Sequence, residues 1–138
     1  MNLKQTLILL FVALLISITA TSILYSFYYV VDVKETHVKL VVADFVGIDV
    51  NPINLTYGAV PPGGTGHRAF TVRNIYNMPV QVTVQISGDV ARFVRFSNTS
   101  FRLDKGTQEQ VQSSGIVPEN TVNGTYYGKL RIVITRAW

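Results

Sequence analysis

Residues 6–31 form an unbroken run without a charged side chain, and only the amino terminus and Lys4 carry charge before it. As a helix rising ~1.5 Å per residue it would extend roughly 39 Å, enough to cross a hydrocarbon core ~30 Å thick. The pattern predicts a membrane-spanning anchor over residues 1–31. From residue 32 the hydrophobic positions alternate instead. Val80, Val82, Val84 and Ile86 share one parity and Gln81, Thr83 and Gln85 the other, as in a strand with one face in a core and one in water. The last run repeats this: Tyr126, Gly128, Leu130, Ile132 and Ile134 alternate with Tyr127, Lys129, Arg131, Val133 and Thr135. Shorter strands are expected at Phe70–Arg73, Phe93–Phe96 and Phe101–Leu103 and around Val111. Upstream, Val38, Leu40, Val42, Val46, Ile48 and Val50 share a parity interrupted by Asp44.

Turn residues separate these runs at intervals of roughly 8–12 residues, the spacing of an all-β sandwich or barrel. Pro61-Pro62-Gly63-Gly64-Thr65-Gly66 is the strongest interruption, and Asn77-Met78-Pro79, Ser87-Gly88-Asp89, Asp104-Lys105-Gly106 and 120–124 mark further turns. About seven short strands are expected, an immunoglobulin-like number. The expected architecture is an all-β, Ig-like antiparallel β-sandwich over residues 32–138 behind one N-terminal transmembrane helix.

Charge sets the orientation. Lys4 precedes the apolar run, whereas Asp32, Lys34 and Glu35 follow it, so the positive-inside tendency leaves the amino terminus in the cytoplasm and the β domain outside. A cleaved signal peptide is the competing account, because Ala20-Thr21-Ser22 offers small residues at a peptidase-like spacing. The run nevertheless continues through Ile23–Val31, beyond the ~7–15 residues of a signal-peptide core, which favours a retained anchor. Tyr25, Phe27, Tyr28 and Tyr29 suit the outer membrane interface, and equally a Tyr/Val-rich strand.

Absence of cysteine removes disulfides and thiolate metal sites, leaving stability to a packed core. Three acceptor tripeptides, at Asn54, Asn98 and Asn123, are candidate glycosylation sites on an exported surface. Leu55-Thr56-Tyr57-Gly58-Ala59-Val60-Pro61-Pro62-Gly63, followed by Phe70-Thr71-Val72-Arg73-Asn74 and Pro79-Val80-Gln81-Val82, resembles the opening of the Ig-like domains of the ASPM/SPD-2/Hydin and major-sperm-protein group. Pro118 and Gly124-Thr125-Tyr126-Tyr127-Gly128-Lys129-Leu130-Arg131-Ile132 are similar to their closing hairpin. The resemblance implies an Ig-like fold over most of residues 50–136 and, since similar anchored domains occur on prokaryotic and particularly archaeal surfaces, a surface protein. Its positions are structural and imply almost nothing about activity. A looser resemblance is to exported β-sandwich subunits that polymerise by donating a strand.

Structural roles follow from residue type. Gly58 and Gly63 are candidates for positive φ, and Pro61-Pro62 stiffens the approach to the turn. Asn74 shares parity with Phe70 and Val72, so its amide is expected to be buried and bonded to nearby turn backbone. Tyr126 is expected to bury its ring and tie its hydroxyl to a loop, with Gly128 on the same inward parity.

Chemistry is sparse. His37 and His67 are the only histidines and lack metal-ligand spacing. There is no G-x-S-x-G elbow, and Gly63–His67 lacks the phosphate-loop pattern. Glu35, Asp44 and Asp49 have no calcium-loop spacing and suit solvated edges better. No enzyme, metal or cofactor is expected. Net charge is +4, and without Lys4 it is +3. Arg68, Arg73, Arg92, Arg95, Arg102, Lys129, Arg131 and Arg136 could converge on one face for an anionic partner, or simply be solvated strand residues. Lys129 and Arg131 are the candidate basic interaction face. The expected protein is a single-pass cell-membrane protein carrying a non-catalytic interaction or structural module, with a protein partner in the envelope or a second copy of itself, and no nucleic acid. The alternative is a filament subunit cleaved near Ser22 that donates Ile23–Val33 to its neighbour. A third possibility is a sensor or accessory of a transport or respiratory complex.

Overall fold

The computed structural model describes residues 1–44 and 55–137. They fall into two compact units, Met1–Val31 and Asp32–Trp138.

In the first unit, helix α1 (Leu3–Leu24) passes into a π-helical turn, Tyr25–Tyr29, and no residue of either is buried. At its start the Asn2 N–H donates to Gln5 Oε1 at 3.1 Å. Ser17, Thr19 and Thr21 donate their hydroxyls to the carbonyls of Ala13, Leu15 and Ser17 at 2.8–2.9 Å. These polar side chains therefore bond within the helix. Tyr25 and Tyr29 stack at a centroid distance of 4.9 Å. The uncharged run does not stay helical to its end: Val30 and Val31 already belong to the first strand. β-branched residues favour extended backbone there.

The second unit is β-rich. Among the described residues there are eight strands rather than about seven: β1 Val30–Val42, β2 Leu55–Val60, β3 Thr65–Arg73, β4 Val80–Gly88, β5 Val94–Phe96, β6 Ser100–Leu103, β7 Gln108–Ile116 and β8 Gly124–Arg136. They form a five-stranded sheet, in the order β2-β1-β8-β4-β6, and a three-stranded sheet, β3-β7-β5. The strand not expected as such is β2. All six of its residues are buried, so it shows no alternation to betray it. Its pairing with β1 is parallel, which makes the larger sheet mixed rather than purely antiparallel. A parallel pair needs a long connection, and of residues 43–54 between the two strands only 43 and 44 are among those described. Val46, Ile48, Asp49, Val50 and the acceptor Asn54 lie outside the described residues.

Gly58 has φ +71° and sits where β2 carries an extra residue against Lys39–Val41 of β1. A bulge here needs a residue without a Cβ. In the β2–β3 connection Gly63 has φ +80°, and the Gly64 N–H donates to the Pro61 carbonyl at 2.8 Å.

The core takes Val38, Leu40 and Val42 from β1, Val80, Val82 and Val84 from β4 and Leu130 and Ile134 from β8, all at most 4% exposed. Val72 and Val111 enter from the smaller sheet. The sheets touch through Tyr57 of β2, whose hydroxyl shares a hydrogen bond with Ser113 Oγ of β7. Its ring occupies the room left by Gly115, where an added Cβ would come within 3.2 Å of Tyr57 Cδ1, and Gly66 leaves room for Val60 Cγ2 and the Tyr57 Cβ and backbone oxygen, which an added Cβ would meet at 3.0–3.3 Å. Gly88 and Gly128 pair across β4 and β8. A Cβ on Gly128 would overlap the Ser87 carbonyl and come within 2.5 Å of Val90 Cγ1. This close approach admits the 3₁₀ turn Asp89–Arg92, whose Val90 is fully buried.

Candidate interaction surface

Period-two alternation sends the odd-numbered residues of β1, β4 and β8 away from the core. Glu35 and His37 of β1, Gln85 and Ser87 of β4, and Tyr127, Lys129 and Arg131 of β8 are all exposed. Register brings them side by side, with Gln85 opposite Arg131 and Ser87 opposite Lys129. They border a depression of about 470 Å³ lined by Glu35, Gln85, Ile86, Ser87, Lys129 and Arg131. An adjoining one of about 220 Å³ is lined by Glu35, Thr36, His37 and Lys129. The two share Glu35 and Lys129. Arg131 Nε lies 3.9 Å from Glu35 Oε1 with both side chains half exposed, a pair that contributes little in water.

Arg68, Arg73 and Arg95 lie on the other sheet from Lys129 and Arg131, so the eight-residue convergence open to the sequence is not formed. Arg68 and Arg73 lie on β3 and Arg95 on β5, in the smaller sheet. Arg68 Nε donates to the Thr56 carbonyl at 2.6 Å. Arg102, on the edge strand β6, pairs with Asp104 at 3.3 Å. The guanidinium of Arg92 stands 4.7 Å above the Phe93 ring and 5.1 Å above that of Tyr126, a cation–π arrangement.

Asn74 marks a different kind of polar site. It is 2% exposed. Its Nδ2 donates to the carbonyls of Met78, Leu103 and Asp104 at 2.8, 3.1 and 3.2 Å, and its Oδ1 accepts from the Tyr76 N–H at 2.9 Å. One amide thereby joins the β3–β4 and β6–β7 connections. Beside it the Tyr76 hydroxyl donates to Asp32 Oδ2 at 2.9 Å. Burial raises the Tyr76 pKa, and the bond to Asp32 and its charge act in the same direction. Tyr126 packs edge-on against Phe93 at 4.9 Å and donates its hydroxyl to the Val122 carbonyl at 2.7 Å, but its ring is only half buried. It closes the turn before its own strand.

Asn123 is exposed and Asn98 half-buried, with Asn98 Oδ1 accepting from the Ser100 N–H at 3.3 Å. His37 is exposed, and His67 Nδ1 lies 3.1 Å from Ser114 Oγ. Among the described residues no three His, Cys, Asp or Glu side chains gather closely enough to hold a metal ion.

Sequence patterning missed the Tyr57–Ser113 bond, because β7 (Gln-Glu-Gln-Val-Gln-Ser-Ser-Gly-Ile) has few apolar residues to mark a buried strand. The available signal was small residues at Ser113 and Gly115 on the parity of Val111. Burial raises the Tyr57 pKa, while the Ser113 bond and the positive charge of Arg68 oppose the rise. Sequence position sets Glu35 near Asp44 and Asp49 and leaves His37 to be paired only with His67; the proximity of Glu35 and His37 to Lys129 arises only from the placement of β1 in the sheet. Comparison of the chain with protein-family models, with curated proteins and with solved structures gives no match.

Proposed function

We propose that this is a single-pass, N-terminally anchored envelope protein whose residues 32–138 fold as an Ig-like β-sandwich outside the cytoplasm and act as a non-catalytic interaction module. The observation that carries the proposal is the sequel of a 27-residue apolar segment, Leu3–Tyr29, with none of its hydrophobic surface buried in the protein, and a separately compact β unit. Such a helix needs an apolar surrounding, and the bilayer supplies one. The polar depression on the outer sheet face supports an interaction role: its side chains have few partners within the protein. The partner is another component of a surface or membrane complex, and Asn98 and Asn123 are the described positions offered for glycosylation.

Intact mass and N-terminal identification on protein isolated from its native membranes, after mild cross-linking, test this reading. A terminus at Met1 or Asn2, release only by detergent, and a cross-linked partner are expected. A terminus near Ile23 in detergent-resistant polymers would replace it with the donor-strand filament. Against that alternative, Ile23–Tyr29 are helical and Val30–Val42 form a strand of the protein's own sheet, so the donor segment would have to refold.

A further inference from the structure

We infer that the depression formed by Glu35, Gln85, Ser87, Lys129 and Arg131 binds a carboxylated sugar, a uronate unit within an acidic glycan chain. The inference rests on the anchored, outward-facing reading above and names the ligand class for its interaction face.

Strand position comes first. β8 lies between β1 and β4, so its backbone is already paired on both sides and no peptide strand can add to it. Recognition here must use side chains. Those side chains are almost entirely polar: Ile86 is the single aliphatic residue lining the larger depression. A folded protein partner would want an apolar anchor pocket at the centre of its contact, and the lining of this depression offers only Ile86. What is offered is a mixture of donors and acceptors. Lys129 and Arg131 only donate, Glu35 only accepts, and Gln85 and Ser87 do both. A polyhydroxylated ring presents hydroxyls that match such a set, whereas a simple anion could use only the donors and would leave the acceptor Glu35 unmatched.

Charge then selects among sugars. Two cations face one carboxylate, and the Arg131–Glu35 contact at 3.9 Å is too long to be a strong bidentate pair. Lys129 is left without an ion-pair partner among the described residues, and the site carries about one net positive charge with His37 neutral. It can neutralise one carboxylate on a ring. Tyr127, two residues before Lys129 on the same face and 62% exposed, supplies an amphipathic aromatic surface beside the depression for the apolar face of a neighbouring ring. The volume of about 470 Å³ falls in the range of roughly 300–1,000 Å³ found for small-ligand sites.

The test uses the full chain in detergent micelles and two probes that share one sugar backbone, trigalacturonic acid and its fully methyl-esterified form, which lacks the carboxylate charges and carries a methyl group on each carboxyl. Calorimetric titration at low salt should give saturable binding of the acid, with the ester at least about tenfold weaker, as loss of one charge-assisted contact implies. Lys129→Gln should weaken the acid by about tenfold and leave the ester unchanged, and added salt should reproduce part of that loss. Tyr127→Ala should weaken both probes. Lys105→Gln, in the exposed β6–β7 turn, is the control for diffuse charge attraction and should change nothing. Equal binding of acid and ester, an equal loss from Lys105→Gln, tighter binding of pentaglutamate at the same residues, or no saturable binding by folded protein would each overturn the assignment. Failure of the sugar by a protein that retains Met1 and its cross-linked partner condemns the ligand class alone; a terminus near Ile23 condemns the anchored reading.

Discussion

Two polar regions of the β unit differ in what their polarity does. At Asn74 every polar atom of the side chain is bonded within the protein and the residue is sealed from water. At the Glu35–Lys129–Arg131 face the side chains are exposed and share a single long ion contact. A buried amide must be matched by the fold because its desolvation is uncompensated otherwise. An exposed cation is matched by water, and remains open to a ligand. The contrast separates polarity that holds connections in place, at the end of β3 in the smaller sheet, from polarity available for recognition, on β1 and β8 of the larger one.

The comparison can be broken by substitution. The largest loss is expected outside both regions, at the close approach of β4 and β8: Gly128→Ala drives a methyl group into the Ser87 carbonyl and should destabilise the β unit by about 3 kcal/mol, seen as a large drop in Tm. A near-normal Tm would mean that the two strands can separate there without consequence. Asn74→Ala leaves three carbonyls and the Tyr76 N–H without their partner and should cost about 2 kcal/mol in denaturant unfolding. Loss below about 0.5 kcal/mol would put Asn74 with the exposed face.

Tyr57→Phe removes the hydroxyl bonded to Ser113 and should cost about 1 kcal/mol at neutral pH. The same phenol has its pKa raised by burial in the folded state. Its contribution is therefore complete below the unfolded value of about 10 and is lost as pH rises from there through the folded pKa. Alkaline unfolding should be shallower in Tyr57→Phe than in the unsubstituted protein. Identical alkaline profiles would place the effect on other tyrosines. The smallest change is expected on the exposed face, where Lys129→Gln combined with Arg131→Gln should shift stability by no more than about 0.5 kcal/mol. A larger drop would make these cations structural and remove the distinction.

Some of this was legible before any coordinates. The alternation of Val80–Ile86 and of Tyr126–Thr135 placed Val82, Val84, Leu130 and Ile134 in the core and Gln85, Lys129 and Arg131 outside it, because a strand has a period of two whatever its neighbours are. The parity of Asn74 with Val72 marked it as inward. The uncharged run marked the helix, although Val30 and Val31 joined the first strand instead. Strand β2 escaped because a segment buried on both faces has no polar rhythm; β7 was marked only around Val111, because its further inward positions are filled by Ser113 and Gly115, beside a ring from another sheet.

Chain order alone therefore determined the apolar helix, the β character of the rest, its main core-facing positions and the outward placement of Lys129 and Arg131, all of which depend on local period and composition. The parallel pairing of β1 with β2, the Tyr57–Ser113 bond, the Gly88–Gly128 approach and the meeting of Glu35 with Lys129 and Arg131 were decided only by tertiary structure. The last three join residues at least 40 positions apart, and the first joins consecutive strands in a direction that no local period sets. No short-range pattern encodes which strand lies beside which; that choice is made by the pairing of strands distant in the chain.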